Sequence, residues 1–124
     1  QEHAVIDYKK GSLPGKDEVF PDVAGKLASP QMAAYINLCE ASGRTVAQAR
    51  YWSVEKAEAL VVLGPGARSR EEYSPALKAF ERDMGVTAGL LRAGDFRPNR
   101  LSNRDCGSCG WKAVCRTAYA AEVL

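Results

Sequence analysis

A short apolar run at the very start of the chain sets the first constraint on its fold. His3 to Lys10 (HAVIDYKK) gathers Val5, Ile6 and Tyr8 and is ended by Gly11, the pattern of a strand closed by a turn. A strand this early means that the N-terminus begins inside a sheet. From Gly11 to Pro30 the composition shifts to Gly, Pro, Asp and Lys, with turns marked at Pro14-Gly15 and Phe20-Pro21. That stretch reads as a long surface loop. Ser29-Pro30 then opens a helix, with Ser at the N-cap and Pro at the first helical position. Met32, Tyr35, Ile36 and Cys39 recur at helical spacing as an apolar stripe that runs to the stop at Gly43.

The missing strands come next. Ala47 to Val54 (AQARYWSV) and Ala59 to Leu63 (ALVVL) flank Glu55-Lys56-Ala57-Glu58, a hairpin pattern whose second strand reads as mostly buried. Ser74-Pro75 repeats the helix-opening signal, and Leu77, Phe80, Met84, Ala88 and Leu91 form a stripe that ends near Gly94. The segment from Asp95 to Leu124 starts irregular and finishes with a short helix containing Trp111, Val114 and Tyr119. The expected fold is therefore α/β. Strands at about 4–10, 46–54 and 58–63 form one mixed sheet, flanked by helices near 30–42 and 75–92 and followed by a cysteine-rich end.

With 124 residues the chain is expected to form a single domain. At 46% hydrophobic and 26% charged it matches globular averages, which excludes a disordered tail or a collagen-like repeat. No stretch approaches the ~18 apolar residues of a membrane span, so no membrane partner is expected. The net charge of +2 does not by itself call for nucleic acid. Its distribution says more, because Arg92, Arg97, Arg100, Arg104, Lys112 and Arg116 face only Asp95 and Asp105. That basic end suits a phosphate-facing surface or a solvated charged face. Cys106, Cys109 and Cys115 fall within ten residues, while Cys39 stands alone. A secreted disulfide scaffold would spread its cysteines, so the crowding points to metal or cluster ligands in a reducing, cytoplasmic setting.

Three constellations could carry chemistry. Asp7 and Lys9, two apart on a strand, project from one face. A carboxylate there can hold a divalent metal and a lysine can offset charge on a phosphate; the plain alternative is an exposed ion pair. Gln31 and Tyr35, four apart, share one side of the helix and could reach a phosphate or a catalytic side chain. Tyr35 could equally be core. Cys106-Gly107-Ser108-Cys109 with Cys115 turns two thiolates toward one soft metal and supplies a third corner. Cys39, on an apolar face, reads as a buried free thiol.

Taken in this order, the motifs resemble the C-terminal part of a PD-(D/E)XK nuclease domain of the RecB-like kind. That group includes nuclease modules of bacterial recombination helicase–nucleases and CRISPR spacer-acquisition nucleases. Val5-Ile6-Asp7-Tyr8-Lys9-Lys10-Gly11 resembles the strand with the (D/E)-x-K motif, and Pro30-Gln31-Met32-Ala33-Ala34-Tyr35 the Q-x-x-x-Y helix. Asp95-Phe96-Arg97-Pro98 followed by Cys106, Cys109 and Cys115, with Trp111 and Arg116, resembles the iron–sulfur knuckle at the end of such domains.

The resemblance implies a restriction-endonuclease-like core, incomplete here, with residues 1–94 as the core portion and 95–124 as the cysteine-rich end. It implies Asp7 as a ligand of Mg2+ or Mn2+, Lys9 as the catalytic lysine, and Gln31 and Tyr35 as supports of the site and the DNA backbone. Cys106, Cys109 and Cys115 become three ligands of a [4Fe-4S] cluster. In the family, a helix with a His or Glu and a strand with a second metal-binding Asp precede the (D/E)-x-K strand, and the fourth cluster cysteine lies upstream. Only Gln1, Glu2 and His3 precede that strand here. The implied function is a metal-dependent DNA nuclease module, exonucleolytic, belonging to a larger DNA repair, recombination or CRISPR-type protein and inactive by itself. Two alternatives remain: a non-catalytic DNA-binding domain with a zinc-type knuckle, and a small zinc-stabilised domain with no DNA role.

Overall fold

The computed structural model describes residues 1–95 and Gly110. Cys106, Cys109, Cys115, the terminal helix expected around Trp111 and the arginines from Arg97 onward lie outside the described residues. The element order is β1 (Glu2–Lys9), α1 (Gln31–Ala41), β2 (Thr45–Ser53), β3 (Glu58–Leu63) and α2 (Arg70–Arg92). The chain divides into two compact units, Gln1–Thr87 and Ala88–Leu124. The sheet, α1 and the site described below belong to the first.

The three strands form one mixed sheet in the order β1-β2-β3. β1 runs parallel to β2, so α1 is the crossover between them, and β2 pairs antiparallel with β3 through the turn after Ser53. Parallel pairing continues past the end of β1: the amides of Val54 and Glu55 donate to the carbonyls of Lys9 and Lys10. β1 alternates strictly, with His3, Val5, Asp7 and Lys9 half-buried and Ile6 and Tyr8 exposed on the other side. On β2 the buried positions Ala49, Tyr51 and Ser53 alternate in the same way. Gly64, just beyond β3, takes φ +115, and a Cβ there would meet Gln48 Cγ at 3.0 Å, so the close approach of the chain to β2 at this point requires glycine.

One core joins these elements. Met32, Ala33 and Ile36 of α1, Val46, Ala49 and Tyr51 of β2, and Val62 and Leu63 of β3 meet Tyr73, Ala76, Leu77 and Ala79 of α2. Val19 and Leu27 enter it from the long loop, so that loop is anchored although it carries no strand or helix. β3 is fully buried only at its last two residues, Val62 and Leu63, which narrows the expectation of a mostly buried strand.

The helix starts depart from expectation in two places. Ser29 is not the N-cap of α1: Pro30 holds that position in αR geometry and makes no side-chain cap hydrogen bond. α2 does not open at Ser74-Pro75. It begins at Arg70, and Pro75 lies inside it. The true opening is a capping box: the Ser69 amide donates to Glu72 Oε2 at 2.6 Å and the Glu72 amide donates to Ser69 Oγ at 3.3 Å. The expected stripe on α2 holds in its first half only, because Leu77 is buried while Met84 and Leu91 are exposed. The stop of α1 is as read. Gly43 at φ +81 closes it with hydrogen bonds from Arg44 N to Cys39 O and from Gly43 N to Glu40 O, the Schellman pattern.

Candidate active site

The site forms where the end of β1 meets the start of α1. Strand alternation turns Asp7 and Lys9 to one face, and the crossover lays the first turn of α1 against them. Asp7 Oδ2 lies 2.9 Å from Lys9 Nζ, with both side chains largely shielded from solvent. Lys9 Nζ donates to Gln31 Oε1 at 2.5 Å, and Gln31 Nε2 donates to the Tyr35 hydroxyl oxygen at 2.7 Å. Side-chain chemistry dictates the direction of this relay. Lysine has only donors, so the amide oxygen of Gln31 must face it, which leaves the amide nitrogen for Tyr35. The Tyr35 hydroxyl accepts from Gln31 and keeps its own proton to donate outward. Tyr35 is exposed rather than core.

The four residues singled out from the sequence are therefore brought into one connected chain. The reading of Asp7 and Lys9 as an exposed ion pair does not describe them, because they are half-buried and Lys9 is engaged from α1 as well. The Asp7 carboxylate raises the pKa of Lys9, outweighing the opposing effect of burial. Lys9 is thus an ammonium at neutral pH, suited to facing negative charge and not to taking up a proton. Cys39 is half-buried, packed against the core and free, as expected for a thiol on the apolar face of α1.

Two residues were not singled out from the sequence. Tyr51, fully buried, pairs in register with Asp7 on the adjacent strand. Its ring centroid lies 5.6 Å from Lys9 Nζ, and its hydroxyl accepts the Met32 amide at 3.2 Å. Burial raises its pKa, more than its contacts with Ser29 and the Met32 amide lower it. Ser53, also fully buried, donates to the Gly11 carbonyl at 2.6 Å and accepts the Lys56 amide, fixing the exit of β1 beside Lys9. The sequence signal for both was their alternation with Ala49 on one face of β2. Their meeting with β1 depends on the parallel register.

The PD-(D/E)XK nuclease superfamily model matches residues 1–116. The chain belongs to the PD-(D/E)XK nuclease superfamily. No curated protein and no solved structure matches it. Members of this superfamily are usually metal-dependent nucleases and commonly use Mg2+ or Mn2+. The sheet with a helix crossing between its parallel strands agrees with a restriction-endonuclease-like fold. Among the described residues no three His, Cys, Asp or Glu side chains gather as a metal-binding group. Asp7 nonetheless fits as one ligand. Its Oδ2 is buried, and its partner among the described residues is the Lys9 ammonium at 2.9 Å. Mg2+ keeps several waters and takes only one or two carboxylates besides phosphate oxygens, so a single aspartate is a workable share of such a site. No helix among the described residues is long and apolar enough to cross a membrane.

Proposed function

We propose that this chain is the C-terminal part of a metal-dependent DNA nuclease domain of the RecB-like kind, exonucleolytic and working inside a larger protein. The observation that carries this reading is the continuous relay from Asp7 through Lys9 and Gln31 to Tyr35. It links a carboxylate that can hold a metal, a cation that can offset charge on a phosphate and a hydroxyl that can bond a phosphate oxygen.

In this reading the Asp7 carboxylate would be one ligand of Mg2+ or Mn2+, and the chemistry such an ion would supply there is Lewis-acid polarisation of a phosphate and activation of water. The chain's own groups do the rest. Lys9 presents its ammonium to the charge that grows on the phosphate oxygens. Gln31 keeps that ammonium from swinging into solvent, and Tyr35 donates its free proton to a backbone phosphate. Further metal ligands come from an upstream segment that also supplies the fourth cluster cysteine. Cys106, Cys109 and Cys115 would be three ligands of a [4Fe-4S] cluster.

The first test is cleavage of end-labelled DNA by a polypeptide that contains this chain and the upstream segment. Cleavage with Mg2+ or Mn2+, abolished by EDTA and releasing nucleotides progressively from one end, is the expected outcome. Steeply salt-dependent DNA binding with no cleavage under any metal would instead favour a non-catalytic DNA-binding domain. Anaerobic purification tests the knuckle: a brown protein with broad visible absorption marks iron–sulfur, and a colourless one containing zinc contradicts it.

A further inference from the structure

The start of α1 has a physical problem. A helix leaves the amides of its first turn without partners, and an N-cap side chain ordinarily takes one of them. Pro30 holds that position in αR geometry and its side chain caps nothing. The Met32 amide finds its acceptor nineteen residues away, in the hydroxyl of Tyr51. The same tyrosine turns its ring toward Lys9 Nζ, 5.6 Å from the centroid. The face of an aromatic ring carries negative potential and attracts an ammonium.

We propose that Tyr51 is the positioning residue of this site: its ring holds the Lys9 ammonium while its hydroxyl fixes the first turn of α1, so that Lys9 and Gln31 are kept within hydrogen-bonding reach of each other. Three electron-rich surfaces then surround Nζ: Asp7 from β1, Gln31 from α1 and the Tyr51 ring from β2. Lysine sits on a flexible four-carbon stem and does not hold one position unaided. Tyr51 supplies the rigid surface, because it is fully buried in close-packed core and lies opposite Asp7 in the parallel register. Its two contacts are chemically separable, since phenylalanine keeps the ring and loses only the acceptor. The proposal rests on the nuclease reading only for why the position of Lys9 matters.

The test has a spectroscopic arm and a kinetic arm. In the nuclear magnetic resonance spectrum of this chain, the Lys9 ε-methylene protons are expected upfield of those of Lys10, whose side chain is 91% exposed. Tyr51→Phe should keep that displacement while speeding exchange of the Met32 amide, and Tyr51→Leu should lose both. Coincident Lys9 and Lys10 signals, or a Met32 amide as protected in Tyr51→Phe as in wild type, would overturn the proposal. Both readouts stand even where Tyr51→Leu fails to fold, since they need only wild type and Tyr51→Phe. In a cleaving polypeptide, Tyr51→Leu should lower kcat about tenfold with KM within about twofold, and Tyr51→Phe should lower it by less than about threefold. An unchanged kcat in folded Tyr51→Leu would also overturn it. Absence of cleavage by wild type with either metal would sink the nuclease reading alone, because the spectroscopic arm still decides where Tyr51 holds Lys9.

Discussion

The two helices of this protein begin by opposite means. α2 carries its own start, a capping box in which Ser69 and Glu72 satisfy each other's backbone amides. α1 has no side-chain cap, and the Met32 amide is satisfied by Tyr51 of β2. α2 is thus begun by local sequence, and α1 by the sheet it crosses. The difference follows what each start must do. The first turn of α1 carries Gln31, whose amide must meet Lys9 of β1. A start anchored in the sheet ties that turn to the lysine, and a self-contained cap would not.

The contrast is open to attack from several sides, beginning with the largest effect. Met32→Ala removes a fully buried side chain that seats α1 on the core, and should lower the unfolding free energy by about 2–5 kcal/mol in a denaturant titration. The loss should be global, because α1 has no local cap to survive on. Ser69→Ala should cost about 1 kcal/mol. Its signature is different: hydrogen exchange should quicken at the first turn of α2 while the Met32 amide stays protected. Equal loosening of both helix starts by Ser69→Ala would erase the distinction.

Acid sharpens the same point. The Ser69 amide and hydroxyl hold the pKa of Glu72 below its ordinary value of 4.5. A group whose folded pKa is lowered stabilises the fold above its unfolded value, and that contribution fades as pH falls through the folded one. Protection of the first turn of α2 should therefore decline on acidification below about pH 4.5. Glu72→Gln should remove the pH dependence, and the start of α1 should not share it. The smallest effect is expected at Tyr73, whose buried hydroxyl has no hydrogen-bond partner among the described residues. Burial pushes its pKa far above the ordinary value for tyrosine. Tyr73→Phe deletes the orphaned group and should leave stability unchanged or raise it by up to about 1 kcal/mol in the same titration. A clear loss would mean that the hydroxyl has a partner.

How much of this could be read from the sequence follows the same division. Local signals placed β1, the α1 stripe, the Gly43 stop and the hairpin, because each depends on neighbours a few residues away. Asp7, Lys9, Gln31 and Tyr35 were legible for that reason: strand and helix spacing put each pair on one face. Ser29-Pro30 and Ser74-Pro75 look alike as helix openings, yet only the first sits at one, with Pro30 and not Ser29 at the cap, while Pro75 lies inside α2. The core recruits Tyr51 to start α1, and the stronger Ser69-to-Glu72 box starts α2 upstream of Pro75. Met84 and Leu91 continue a helical period without being buried, since periodicity reports which side chains share a face and not how far a core extends. Tyr51 and Ser53 join the site only through the parallel register of β1 on β2, which no local pattern encodes.

The central claim is that Asp7 and Lys9 perform the chemistry that the relay to Tyr35 organises. The most direct test compares wild type, Asp7→Ala and Lys9→Ala in the longest soluble polypeptide containing this chain, measuring Mg2+- or Mn2+-dependent DNA cleavage beside DNA binding in the same buffer. Each substitution is expected to abolish cleavage and leave binding within a few-fold of wild type, because the groups that would hold the metal and offset charge on the reacting phosphate are lost while the backbone contacts are not. Cleavage retained in both variants would contradict it, since among the described residues no other carboxylate is joined through a lysine to Gln31 and Tyr35.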